Sequence, residues 1–529
     1  MSSPPPLPTR RADLLARLAQ PRQYDLAVVG GGATGLGVAL DAAARGFSVV
    51  LVESHDFAHG TSSRSTKLVH GGVRYLAQGH LPLVREALHE RATLLRMAPH
   101  LVHPLEFVLP CYRWWEKPFY ALGLKAYDAL AGRAAGLPGS RGLNRAQTLA
   151  SLPGVAAAGL RGGVAYWDGQ FDDARLALAL ARTAAREGAL LVNYCAAVAL
   201  RHDSGRVAGL VCEDRETGQR FPLQARCVVN ATGVWVDALR QLDQPSGAAP
   251  SAALVTPSQG VHLVVDGDFL PGGRALLVPR TADGRVLFAI PWLGKVLLGT
   301  TDTPRSDAPR EPLATAGEVD FILREAGRCL RRPPQRADVR SIWVGLRPLV
   351  RPGGDASGST PTQGIGREHT VRSGPGGLVT VAGGKWTTFR AMAEDVLAHC
   401  VQAGLLDRRS GGVTADLRLV GAPPVALPMP APSPHGDEQD GLAALPGAAL
   451  VLAPELTEAQ VRFAARHEYA RTVEDVLARR SRLLFLDAAT AGAAAPAVAA
   501  ILAEETGSDP ALAAFAALAQ QYQQLPTTE

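Results

Sequence analysis

Three glycines constrain this chain more than any other feature. Gly30, Gly32 and Gly35 stand in a G-x-G-x-x-G spacing directly after the apolar run Tyr24 to Val29. An Ala- and Leu-rich stretch, Thr34 to Arg45, follows with helical character, and then a second β-branched run, Ser48 to Val52. Strand, glycine turn, helix and strand in this order specify a parallel βαβ unit. Gly30 permits the tight turn, Gly32 lets a pyrophosphate approach the backbone, and Gly35 lets helix pack on strand. The helix N-terminus then offers unpaired N–H groups to phosphate. Glu53 closes the second strand, where an acid accepts from the ribose hydroxyls of a bound dinucleotide.

The rest of the chain is too long for one small core. Its 529 residues imply two to four domains, and 47% hydrophobic with 19% charged residues marks a globular protein. The small-residue stretch Ala488 to Ala503 contains Thr490, Gly492 and Pro496 and falls short of a membrane-spanning helix. Residues 1–23 are Pro- and Arg-rich without an apolar core, which reads as a bacterial N-terminal extension and not a secretory signal. Six scattered cysteines with no CxxC pair read as free thiols. A net charge of +5 without any basic block gives no support to nucleic-acid binding. Only Lys67, Lys117, Lys125, Lys295 and Lys385 are lysines among 54 basic residues, so Lys67 and Lys385 stand out inside motifs.

The expected fold class is α/β, α+β overall. A discontinuous Rossmann-like domain spans residues 24–400 (about 24–110, 150–240 and 340–400), with a sheet-rich substrate domain interleaved at about 111–149 and 241–339. A helix is expected over Leu81 to Met97. β-like runs include RVAGLVC, RCVVNATG, GVHLVV, RVLFAIP and KVLLGTTD. A Gly/Ser/Thr-rich loop covers Gly353 to Gly366. Residues 401–452, Pro-, Ala- and Gly-rich from Gly411 to Ala449, read as a linker. Residues 453–529 read as a helical C-terminal domain, with helices over Thr457 to Leu486 and Pro510 to Gln524.

Three later features favour FAD over NAD. Thr61, Ser62 and Ser63 supply hydroxyls soon after the second strand. Val228 to Gly233 is a strand ending in Ala231-Thr232-Gly233. Val381 to Lys385 closes a late strand at Gly383-Gly384, where a helix begins. An NAD domain closes within about 150 residues, whereas these segments are spread over nearly 400. Gly31, Thr34, Lys67, Leu68, Val198, Lys385, Thr387 and Thr388 complete the expected cofactor set. No metal site is expected.

The segment TSSRSTKLVHGGVRYL (Thr61 to Leu76) resembles the aerobic, FAD-dependent glycerol-3-phosphate dehydrogenases, the bacterial membrane-associated form and its mitochondrial counterpart. Ordered matches continue along nearly the whole chain: MAPHLVHPLEFVLP, FDDARL, NATGVWVD, PWLGKVLLGTTDT, WVGLRPLV, GREHTV, GGKWTTFR and HEYARTVEDVLARRSRLLFLD. No EF-hand pattern follows, which disfavours the calcium-regulated mitochondrial version.

The resemblance implies oxidation of sn-glycerol 3-phosphate to dihydroxyacetone phosphate by hydride transfer to FAD, with electrons passing to ubiquinone. It assigns Arg74, Tyr75, Arg347, Arg367 and Lys385 to the substrate pocket. Convergent cations beside turns suit a dianionic phosphate. His70 and His262 are alternative proton acceptors, since imidazole titrates near neutral pH. Arg113 to Arg133 combines Trp114, Trp115, Phe119 and Tyr120 with flanking cations, as an interfacial, non-spanning anchor does. The expected location is therefore peripheral, at the cytoplasmic face of a bacterial inner membrane. The oligomeric state stays open, a homodimer among the options. An oxygen-using glycerol-3-phosphate oxidase would share every substrate motif. A flavin-dependent RNA-modifying protein would need a basic surface that is absent from the sequence.

Overall fold

The computed structural model describes residues 6–73, 76, 79–132, 136–245, 247, 249, 251–282, 284–351, 366, 368–423 and 433–527. The glycine-marked unit forms as the spacing predicts: strand Gln23–Val29, helix Ala33–Ala44 and strand Val49–Val52. Val49–Val52 and the end of Gln23–Val29 are buried on both faces, as parallel strands between helical layers must be. A side chain at Gly35 would collide with the Gly30 carbonyl oxygen, so only glycine lets this helix lie so close to its strand. Strands Val379–Gly383, Arg220–Asn230, Gln23–Val29, Val49–Val52 and Leu190–Val192 run parallel in that order. His369–Ser373 closes one edge antiparallel, and the hairpin Cys195–Asp203 and Arg206–Asp214 extends from Arg220–Asn230.

A second, ten-stranded sheet takes six strands from the interleaved segments. The other four, Leu68–Val69, Val102–Cys111, Gly162–Phe171 and Ser341–Val350, come from segments expected in the nucleotide domain, because the chain crosses between the two sheets more often than the sequence reading divided it. Its functional part is four adjacent antiparallel strands: Ser341–Val350, Val255–Asp266, Lys295–Gly299 and Leu287–Trp292. The register aligns Trp343 with His262, His262 with Gly299, and Gly299 with Phe288, so these positions share one face. Gly260 pairs Gly345 on that face. The missing side chains at Gly260, Gly299 and Gly345 admit Arg347, His262 and Arg64, which lie where a Cβ would stand.

The C-terminal region is helical but differs from the sequence reading. The stretch Thr457 to Leu486, read as one helix, breaks into helix Glu458–His467, a π-helical turn Asp475–Arg480 and helix Leu483–Leu486. In the π-helical turn, Arg479 and Arg480 both donate to Asp56, which is fully buried. The small-residue stretch Ala488 to Ala503 lies in a continuous helix, Ala488–Thr506, that runs through Pro496 and packs on helix Leu512–Gln523. Among the described residues no helix is long and apolar enough to cross a membrane. The described part of the segment read as a linker lies against the nucleotide domain: Leu419 N–H donates to Met97 O (3.0 Å), and Arg182 forks onto Glu438 (2.6 and 2.7 Å). Residues 352–365 of the Gly/Ser/Thr-rich loop lie outside the described residues.

Candidate functional site

A groove of about 490 Å³ runs along the carboxyl ends of the parallel strands, where dinucleotides bind in such sheets. Gly30, Gly32, Thr34, Glu53, Thr61, Ser62, Val198, Ala231, Thr232, Gly233, Gly384 and Lys385 all line it, as expected of the cofactor set. Gly30 adopts φ +108°, and a Cβ there would stand 2.7 Å from Ala231 O, so the turn after the first strand admits no side chain. The Glu53 carboxylate accepts from Gly31 N–H (2.6 Å), His55 N–H (2.9 Å) and Ser54 Oγ (3.1 Å), which fixes it at the end of the second strand. Gly31 thus serves by its backbone and faces away from the groove. Ser62 Oγ accepts from Ala33 N–H at 2.9 Å, satisfying a donor at the start of the helix, while its own hydrogen remains available to a phosphate. Thr232 turns its hydroxyl onto Asn230 (2.7 Å), locking the Ala-Thr-Gly turn.

A second cavity, about 880 Å³, meets the groove at Thr61, Pro348 and Gly383 to Trp386, which line both. The face of the second sheet described above forms one wall. His70, His262, Arg347, Lys385, Leu68 and Thr387 line this cavity, which brings together residues far apart in sequence. Arg347 lies over Gly260; its guanidinium donates to Thr301 O (3.1 Å) and Thr300 Oγ1 (3.2 Å), and Asp302 stands 3.7 Å away. His70 is half-buried, and its backbone N–H donates to Thr387 Oγ1 at 3.3 Å. His262 is buried and stacked on Trp343, with centroids 4.1 Å apart and planes at 17°. Burial, then Lys67 and Arg347, push its imidazole well below its ordinary range, so it is neutral at physiological pH.

Several expected cofactor residues lie elsewhere. Lys67 is fully buried with φ +62°; its ammonium donates to Asp173 (2.7 Å) and Ser63 O (2.7 Å), near the rings of Trp343 and Trp292 (4.7 and 5.2 Å). Burial pushes it down to about 7 against the pull of Asp173. A compact ammonium fits this space, and its position is set by the carboxylate and not by the groove. Ser63 is buried behind the loop, its carbonyl shared by Lys67 and Arg482. Leu68 faces the second cavity, Thr388 is buried at the start of helix Phe389–Gln402, and Gly35 packs on its strand. Arg74, Tyr75 and Arg367 lie outside the described residues.

Other residues reached these cavities without being singled out. Thr66 hydrogen-bonds His262 Nε2 at 3.0 Å and lines the second cavity; its place between Ser65 and Lys67 in the substrate motif was the available signal. Arg215 and Arg310 line the groove with Glu53, Arg310 lying 5.3 Å over the Trp235 ring. No sequence signal marks them in an Arg-rich chain. The far wall of the second cavity is apolar and includes Trp115, Phe119 and Leu122 of the segment Arg113 to Arg133. That segment folds as helix Glu116–Ala131, which buries only Leu124 and Tyr127. Trp114, Phe119 and Leu122 are 78%, 63% and 75% exposed.

Comparison with known proteins agrees with this geometry. Residues 25–396 match the family model of FAD dependent oxidoreductases, and residues 436–513 match the C-terminal domain of alpha-glycerophosphate oxidase. The chain is 40% identical to the mitochondrial glycerol-3-phosphate dehydrogenase of Homo sapiens, over 95% of this chain and 73% of that protein. It is 42% identical to the Saccharomyces cerevisiae protein of the same name, over 79% and 69% of the two chains. The glycerol-3-phosphate dehydrogenase of Bacillus halodurans, solved in complex with FAD, superimposes with a TM-score of 0.74 at 30% identity, covering 98% of this chain and 99% of that one. A groove cradled by glycines, with the acid Glu53 at the end of the second strand and hydroxyls along it, fits that cofactor. This chain therefore belongs to the FAD-dependent glycerol-3-phosphate dehydrogenase family.

Proposed function

We propose that this protein oxidises sn-glycerol 3-phosphate to dihydroxyacetone phosphate and passes the electrons to a membrane quinone, ubiquinone, at the cytoplasmic face of a bacterial inner membrane. The observation that carries the reading is the junction of the two cavities. The cofactor groove opens at Gly383 to Trp386 into a chamber holding Arg347, Lys385, His70 and His262 at one end and exposed apolar side chains at the other.

When bound, FAD supplies the acceptor for the hydride that leaves carbon 2. The chain's residues do the rest. Arg347 and Lys385 offer charge to a dianionic phosphate, with Arg74 and Arg367 expected beside them. His262 takes the proton of the carbon-2 hydroxyl. It is neutral at rest because burial, Lys67 and Arg347 disfavour its cation, and a base must start unprotonated. The arriving phosphate dianion offsets those two positive charges, so imidazolium becomes affordable only with substrate in place. The chamber exceeds the needs of a three-carbon phosphate, and its apolar arm toward Trp115, Phe119 and Leu122 suits a quinone ring entering from a lipid surface.

The test is anaerobic addition of glycerol 3-phosphate to the yellow protein. Its flavin should bleach, glycerol should leave it oxidised, and added quinone should restore the colour. Equal bleaching by glycerol would remove the phosphate clamp. Stoichiometric hydrogen peroxide in air, unaffected by quinone, would make the protein an oxidase.

A further inference from the structure

The imidazole of His262 is confined in nearly every direction. Trp343 covers one face at 4.1 Å, and Gly299 brings bare backbone so close that a Cβ there would stand 2.6 Å from Cδ2. Within the ring plane, Nδ1 is buried without a hydrogen-bond partner among the described residues, and Nε2 meets Thr66 Oγ1 at 3.0 Å. The charged groups facing the ring are Lys67, from the loop that carries Thr66, and Arg347, from strand Ser341–Val350; Trp343, Gly299 and Thr66 are uncharged. Neither stacking nor the glycine contact distinguishes the two orientations related by a half-turn of the ring. Only the hydroxyl does so.

Thr66 is itself held on both sides by one carboxylate. Ser65 donates to Asp173 through its N–H (3.1 Å) and its hydroxyl (2.7 Å), and Lys67 donates its ammonium to the same oxygen (2.7 Å). Lys67 adopts a left-handed backbone with φ +62°, a conformation that a long side chain rarely takes and that the buried ion pair compensates. Asp173 also accepts from Arg482 (3.1 Å) of the C-terminal region. The hydroxyl therefore sits on a rigid support, and threonine adds a β-branched side chain with few rotamers.

We propose that Thr66 connects His262 to the chamber: its hydroxyl lines the chamber and faces the one in-plane lone pair of Nε2, so it takes the substrate's proton as its own passes to Nε2. The inference rests on the functional reading above. In the opposite orientation a carbon would face Thr66, and no ring nitrogen would be in reach of its hydroxyl.

The experiment compares wild type, Thr66→Val and Thr66→Ser as holoenzymes in anaerobic single-turnover reduction by glycerol 3-phosphate. Valine keeps the shape and removes the hydroxyl, while serine restores it. The limiting rate of Thr66→Val should fall on the order of ten- to a hundredfold, because the general base is cut off from the substrate's proton. Half-saturation and flavin content should stay within about twofold, and Thr66→Ser should recover most of the rate. Should valine fail to fold, Thr66→Ala carries the same comparison. A wild-type rate in Thr66→Val overturns the proposal. So does a serine variant as slow as valine, which would mean packing, or a raised half-saturation at unchanged limiting rate, which would mean substrate binding. If wild type is itself not reduced by glycerol 3-phosphate while another alcohol reduces it, the functional reading falls, and the proposal with it.

Discussion

Gly260 offers a way to move Arg347 without touching it. A Cβ added at Gly260 would stand 2.5 Å from the guanidinium NH2, 2.8 Å from its Cζ and 2.7 Å from Thr300 Oγ1. Carbon contacts settle at about 3.5–4.0 Å, so in Gly260→Ala the guanidinium must retreat by roughly 1 Å. It can do so, because it is the end of a flexible side chain, and the strand backbone at Gly260 has no positive φ to exclude alanine. Overpacking of this kind costs about 1–3 kcal/mol of stability, too little to unfold a chain this size. A displacement of about 1 Å at a charge that binds the transferring substrate costs up to about a hundredfold in rate. We therefore expect kcat/KM for glycerol 3-phosphate to fall about 10- to 100-fold, or about 1.4–2.7 kcal/mol of transition-state binding. Anaerobic stopped-flow bleaching across a range of substrate concentrations measures it. Flavin content should stay at the wild-type level, since Gly260 lines the second cavity and not the cofactor groove. If Gly260→Ala folds, holds FAD and keeps kcat/KM within about twofold, Arg347 does not bind the phosphate where this geometry puts it.

Arg347→Lys keeps the charge but loses the planar fork, and should lower kcat/KM about tenfold or more, with weaker competitive inhibition by inorganic phosphate as the accompanying readout. Glu53→Ala removes the acceptor expected for the ribose hydroxyls, so FAD should dissociate about ten- to a hundredfold more readily on dilution, measured by flavin fluorescence of the filtrate. Trp114→Ser should shift the protein from the membrane pellet to the supernatant while activity with a soluble dye is unchanged; unaltered partition would remove the segment Arg113 to Arg133 as the anchor. Burial alone would raise the Glu468 carboxyl, but Arg175, at 2.8 Å, and the neighbouring His435 and Arg182 pull it down to about 2. Its folded pKa lies below the ordinary 4.5, so its contribution is complete above about pH 4.5 and is lost as pH falls toward 2, on the order of 3 kcal/mol in all. Glu468→Gln should flatten that part of the Tm-against-pH curve and lower Tm at neutral pH, because Arg175 loses its buried counter-charge.

The sequence by itself determined the nucleotide-binding half. Gly30, Gly32 and Gly35, the flanking β-branched runs and Glu53 act locally: backbone conformation, close packing and strand alternation are properties of short segments, and they gave both the fold of the unit and the end of the sheet where the cofactor lies. The resemblance carried by Thr61 to Leu76 and the later motifs pointed to the substrate pocket, and Arg347, Lys385, His70 and His262 do converge on one chamber. What only the tertiary structure decided were relations between strands and domains. That Trp343, His262, Gly299 and Phe288 share a face follows from the register of four strands, which no one strand encodes. Lys67 looked like a cofactor ligand because it stands in a cofactor motif; Asp173, a hundred residues on, takes its charge instead. Long-range electrostatics also mark the π-helical turn Asp475–Arg480, where Arg479 and Arg480 both pair with Asp56, a carboxylate 423 and 424 residues earlier. Local propensity fixes what a segment can be, while a charge removed from water takes the partner that the fold brings to it.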